Sequence, residues 1–213
     1  MALKVRAVPL AVLWVRDAAY HVCILACFRR VILWGMNIHP LFVHFPIGLL
    51  VSYSVLELCS YFIPALRRQT WILPVKAFLL FAGVLAAFAA LVTGGIAEDI
   101  VEGSLSSPVL EMHSSFAGAT TILYLALAAV YCIRVFDVKG WGNYIAGMNN
   151  PFMRIWDVKR YFAHLILDTW FLPAISLLAL VGMTVTGALG AAMVYGPDID
   201  PFVFFIYHLF LAR

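Results

Sequence analysis

Charge is what this sequence has least of. Only 12% of its 213 residues are Asp, Glu, Lys or Arg, while 64% are hydrophobic and the mean hydropathy is +0.98. Soluble domains carry roughly 25% charged residues. So few polar groups cannot cover a water-facing surface, which excludes a soluble globular protein and leaves an integral membrane protein of one bundle's length. Blocks of Lys and Arg are also missing, and the net charge is only +3. Nucleic acid is therefore not an expected partner. Cysteines are few: Cys23, Cys27, Cys59 and Cys132 lie in apolar surroundings, and the C-x-x-x-C pair has no further Cys or His beside it. That spacing argues against a zinc or iron–sulfur site. Nor is there a nucleophile–base constellation or a phosphate-binding loop, so catalysis by this chain alone is not expected.

What the sequence has in abundance is long apolar runs. Four are long enough to cross a hydrocarbon core, which takes about 20 helical residues: 40–63, 73–97, 109–134 and 169–195. Pro40 and Pro108 open the first and third runs, in the helix turn where a missing N–H costs nothing. The expected fold is all-α: a four-helix transmembrane bundle over 37–197, an additional N-terminal helix over 1–36 and a short C-terminal segment over 198–213. Arg16 and Asp17 interrupt the apolar N-terminal stretch. This is unlike a cleaved signal peptide and favours an interfacial helix over a fifth span. "FMRIWDVKRYFAHLIL" alternates basic and aromatic residues and reads as an interfacial helix before the fourth span. "DIDPFVFFIYHLFLAR" reads as a short aromatic helix capped by Asp200 with Pro201 at its first position. It is too short to span and apolar on nearly every face, so it is expected to dock on a neighbouring subunit rather than on its own bundle.

Basic residues set the orientation. Arg67, Arg68 and Lys76 follow the first span, and Arg134, Lys139, Arg154, Lys159 and Arg160 follow the third. Glu98, Asp99, Glu102, Asp198 and Asp200 lie on the other side. The basic loops are expected in the cytoplasm, placing "NIHPLFVHFPIGLL" (37–50) at the outer, periplasmic end of a multi-pass protein of a bacterial inner membrane.

That stretch carries His39 and His44 among two prolines. His44 follows Pro40 by four residues and His113 follows Pro108 by five, so both imidazoles lie about 6–8 Å inside their helix starts. Ionisable groups inside a membrane are functional by default. Two at matched depth suit the axial positions of one porphyrin iron. Gly48 and Gly118, downstream of the two histidines, offer room for a flat macrocycle. Gly182, Thr186 and Gly190 share a face of the fourth span that allows close approach of a helix or macrocycle. His39, at the aqueous boundary, and His208, on the same side, form a second candidate pair. His21 and His164 read as interfacial, and Glu111 as a group that could carry protons near His113.

The pattern resembles a bacterial family of small four-span membrane proteins of unknown function. The resemblance rests on "HPLFVHFPIGLL" (39–50), "VTGGIAED" (92–99), "LEMHSSFAG" (110–118) and "TGALGAAMVYG" (186–196), in that order. His39, His44 and His113 match recurrent positions of that family, while His208, the first 36 residues and the long third loop depart from it. The resemblance implies a setting beside Rieske-type and cytochrome c modules. The resulting expectation is a haem b electron-transfer subunit with His44 and His113 as ligands. It would pass electrons between a periplasmic redox partner and quinone or another subunit of a larger complex. A cofactor-free scaffold subunit and a (bacterio)chlorophyll-binding subunit are the alternatives.

Overall fold

A computed structural model describes residues 38–101, 108–138, 152–167 and 169–211. The helix expected over 1–36, with His21, Cys23 and Cys27, lies outside the described residues. Among the described residues, four helices are long and apolar enough to cross a membrane: α1 (His39–Phe62), α3 (Ile72–Val101), α4 (Pro108–Val138) and α6 (Phe171–Tyr195). Between them lie the single turn α2 (Pro64–Arg67) and the surface helix α5 (Phe152–Leu167). The segment α7 (Pro201–Leu211) follows α6.

Local chemistry sets the helix ends. Pro40, Pro64, Pro108 and Pro201 all stand in first turns, where no intrahelical N–H is needed. Asp200 caps α7 as expected, its Oδ1 accepting from the N–H groups of Phe202 at 2.8 Å and Val203 at 2.9 Å. Gly196 ends α6 at φ 92°, a conformation that strains residues with a Cβ, while its N–H bonds the Ala192 carbonyl at 3.0 Å. Helix α1 runs unbroken through Pro46, whose ring faces the interior. Helix α4 extends four residues past its expected end. There Asp137 meets Arg160 of α5 at 3.1 Å, tying the surface helix to the span.

The spans pack as a ring in the order α1, α3, α4, α6, so α1 faces α4 diagonally across the centre and α3 faces α6. Lipid is as apolar as leucine, so packing in a membrane is driven by close fit and polar contacts rather than by hiding apolar surface. The outward faces are accordingly rich in exposed large residues such as Leu41, Phe78, Leu85, Ile122 and Val181. Small residues let neighbours close in. A Cβ on Gly83 would stand 2.5 Å from the side chain of the fully buried Leu50, and one on Gly182 would stand 2.4 Å from the Thr120 hydroxyl. Three large side chains, Tyr53, Tyr124 and Tyr131, fill the wider diagonal between α1 and α4.

The C-terminal helix corrects an expectation. Instead of leaving its own bundle, α7 packs Val203 and Ile206 against Val185, Ala188, Leu189 and Ala192 of α6. Phe210 meets Phe116 of α4 edge-on, with ring centroids 5.0 Å apart. The sequence argument failed because α7 needs only one buried stripe. Phe202, Phe204, Phe205 and Leu209 stay exposed.

The glycine contacts predict a graded response. Gly83→Ala should cost about 1–3 kcal/mol, because fully buried Leu50 has nowhere to swing. Gly48→Ala, with open space at the Cβ position, should be neutral. Unfolding titrations in mixed detergent micelles would measure both, and equal responses would show that the α1–α3 contact is not tight at Gly83.

Candidate functional site

Among the described residues the bundle holds two polar centres, one at each end. At the end where α1 and α4 begin, the interior histidines are His39 and His113. Each stands eleven residues before a fully buried core residue, Leu50 and Tyr124 respectively. Eleven residues are close to three full turns at 3.6 per turn, which carries each histidine onto the inward stripe. Six residues separate His44 from Leu50, about 120° away from that stripe. His44 is exposed accordingly, its Nδ1 donating to the Pro40 carbonyl of its own helix at 2.5 Å. The structure therefore brings His113 together with His39, not with His44.

The two interior imidazoles are held in equivalent ways. His113 Nδ1 lies 3.0 Å from the Thr186 carbonyl of α6. A carbonyl only accepts, so Nδ1 carries the proton and Nε2 the lone pair. His39 Nδ1 lies 3.1 Å from Thr93 Oγ1 of α3. That hydroxyl gives its own proton to the Ala89 or Ala90 carbonyl, so it accepts from His39 and leaves the same tautomer. His39 also lies beside the Ala90 carbonyl. Gly94 follows Ala90 by four residues and Gly190 follows Thr186 by four. A Cβ on Gly94 would stand 3.2 Å from the His39 ring, and one on Gly190 would stand 3.3 Å from the His113 ring. Helix pairs α1–α3 and α4–α6 thus use similar devices: a histidine near the start of the first helix packs its ring against a glycine of the second and bonds an oxygen of that helix within the turn before the glycine. The two imidazoles are close enough to feel each other's charge.

The other residues singled out in the sequence fall elsewhere. Gly48 is exposed on the outside of α1, and a Cβ on Gly118 would meet nothing within 4 Å. Gly182, Thr186 and Gly190 do form a close-approach face, directed at Thr120 and His113 of α4. His208 is exposed, bonded to the Phe204 carbonyl of its own helix at 2.8 Å and tilted against the Phe204 ring. Glu111 is exposed. The His164 side chain lies outside what the structure describes.

Sequence reasoning missed the second centre. Lys76 is not a loop residue. It sits in the second turn of α3 at 8% exposure, against Glu57 of α1 at 3%. Lys76 Nζ lies 3.1 Å from Glu57 Oε1, 3.0 Å from Oε2 and 3.0 Å from Ser60 Oγ. The Tyr131 hydroxyl donates to Glu57 Oε2. Each charge thus has several partners, which a buried ion pair needs to offset its desolvation. Tyr53 stands edge-on to both Tyr131 and Tyr124, at centroid distances of 5.7 and 6.3 Å, and Tyr124 shares a 2.9 Å hydrogen bond with Ser54. A mostly polar cavity of about 180 Å³ leads to the pair, lined also by Arg67, Arg134, Tyr61 and Thr169. The available signal was Glu57 itself, a lone carboxylate within an apolar run, which is costly unless paired.

A family model for a predicted membrane protein, DUF2231, matches residues 35–200. The chain belongs to this family. The match takes in all four spans and both polar centres of this DUF2231 protein. Neither the search of curated proteins nor that of solved structures finds a match.

The ion pair makes a separable prediction. Lys76→Met alone should cost about 3–5 kcal/mol, because it strands a buried carboxylate. Adding Glu57→Gln should recover most of that loss. Detergent unfolding of the single and double variants checks it, and strictly additive losses would show that the two residues are not coupled.

Proposed function

We propose that this DUF2231 protein is a membrane-embedded electron-transfer subunit that holds haem b at its histidine end, with His39 and His113 as the two axial ligands. The observation that carries this reading is the matched anchoring of the two imidazoles. With Nδ1–H bonded to an oxygen of the neighbouring helix, Nε2 is the coordinating atom and the ring orientation is set, as second-shell partners do for metal-bound histidines. A pair suits a porphyrin, which brings four nitrogens of its own and asks the protein for two axial ligands. Among the described residues no group of three or more His, Cys, Asp or Glu is placed to hold a bare metal ion. When bound, haem supplies one-electron chemistry. The protein's part is to fix both imidazoles, exclude water and set the depth of the iron in the membrane.

In this reading the chain serves a larger redox complex of a bacterial inner membrane. A Rieske or cytochrome c partner would meet the periplasmic histidine end, with quinone or another subunit as the second partner. The charge bias supports that orientation even with Lys76 removed from the loops. Arg67, Arg68, Arg134, Lys159 and Arg160 lie toward one end, and Glu98, Asp198 and Asp200 toward the other. The exposed aromatic face of α7 is a surface another subunit can cover.

The purified protein should show a b-type reduced-minus-oxidised spectrum and a positive pyridine haemochrome assay. His39→Ala and His113→Ala should each remove the low-spin signal, while His44→Ala should leave it. Loss on His44→Ala with retention on His39→Ala would restore the pairing expected from sequence. Far-red bands would mean a chlorophyll, and a blank spectrum a scaffold.

In a cysteine-free background, a cysteine at exposed Asp198 should react with an impermeant reagent added outside intact cells, and one at exposed Gln69 should not. The reverse pattern would turn the protein over in its membrane.

A further inference from the structure

Polar groups are expensive inside a membrane helix bundle, and this one places them along its whole length. From His39 to Glu57 is 18 residues of α1, about 27 Å at 1.5 Å per residue, and from His113 to Tyr131 is the same distance along α4. Between these ends the interior of α4 presents Thr120, Thr121 and Tyr124, and that of α1 presents Tyr53 and Ser54, all buried. Beyond Glu57 the polar cavity continues past Lys76 to Arg67 and Arg134.

The middle of this series is unusual in being unlocked. Tyr131 is tied to Glu57, and Tyr124 to Ser54. Tyr53 OH and Ser176 Oγ, both fully buried, make no hydrogen bond of ordinary geometry. Yet Tyr53 lies beside both Ser176 and Tyr131. A buried hydroxyl without a fixed partner forfeits free energy, so a purely structural core would carry phenylalanine and alanine at these positions. A hydroxyl chain that passes protons needs members free to turn between one neighbour and the next.

We infer that the bundle conducts protons between the cavity at its basic end and its histidine end, by way of Glu57–Lys76, Tyr131, Tyr53 with Ser176, Tyr124 with Ser54, and Thr120. A proton arriving from the cavity is taken by a Glu57 oxygen, which faces Lys76 of α3, Tyr131 of α4 and Tyr53 of its own helix. Each hydroxyl then accepts one proton on the near side and releases its own on the far side. One proton enters for each that leaves, no covalent bond other than O–H or N–H changes, and nothing is oxidised or reduced. His39 and His113 stand at the far end of this series to receive the proton. This inference does not rest on the haem reading.

The test uses the full chain reconstituted in phosphatidylethanolamine–phosphatidylglycerol vesicles that contain a pH-sensitive dye, with potassium and valinomycin for charge compensation and no redox partner. After an acid step outside, wild-type vesicles should acidify faster than protein-free ones. Tyr53→Phe and Ser176→Ala remove hydroxyls that make no hydrogen bond of ordinary geometry, so both should stay folded with a melting temperature close to wild type and fall to the protein-free rate. Glu57→Gln should lose the flux as well. Wild-type vesicles no faster than protein-free ones, or unimpaired flux in the folded Tyr53→Phe and Ser176→Ala variants, would overturn the inference and leave the polar series a structural feature.

Discussion

In hydrocarbon a polar side chain has no water to fall back on, and the whole arrangement depends on that constraint. Leucine packed on leucine gains little over leucine packed on lipid. Glu57, Lys76, His39 and His113, by contrast, must find partners across helix boundaries or remain at great cost. Each of them does so: Glu57 joins α1 to α3 and α4, His39 joins α1 to α3, and His113 joins α4 to α6. Glycines at the crossing points then set how near the helices come. The ring order of the spans follows from these links more than from apolar patterning, since every span is apolar by overall composition.

The repeated histidine–glycine device shows how one solution is used twice. A histidine within two turns of its helix start can still turn its ring toward the next helix, provided that helix offers a carbonyl or hydroxyl to bond and no Cβ where the ring must lie. Gly94 and Gly190 meet the second condition, and Thr93 and Thr186 the first. The two halves differ below that level. The first pair carries the carboxylate and the ammonium, and the second contributes Tyr124, Tyr131 and Ser176, so the central network needs both.

Much of the fold could be read from residue order. Prolines marked helix starts, Asp200 announced its cap, and the four spans fell within two residues of their expected bounds except at the ends of α3 and α4, each four residues longer. The site was legible only in part, for identifiable reasons. Depth along a helix is a one-dimensional count, so His44 and His113 matched. Which way a side chain faces requires the inward stripe, and that stripe is set by Leu50, Tyr53 and Tyr124, whose burial is a tertiary fact. Lys76 passed for a loop residue because it stands near the start of an apolar run. Only its pairing with a carboxylate 19 positions earlier draws it inside. The tail was misjudged because an apolar segment with no polar face does not reveal how much of itself it will bury.

The separation between the imidazole pair and the ion pair has an electrical consequence. They lie about 27 Å apart along the bundle, nearly the thickness of a hydrocarbon core. A membrane potential falls across that same thickness, so the two centres sit at almost opposite ends of the voltage drop. Moving one elementary charge from one to the other is worth about 2.3 kcal/mol for each 100 mV. The potential of an energised membrane therefore biases the two centres against each other by more than a tenfold change in any equilibrium that shifts charge between them, with no contact made or broken.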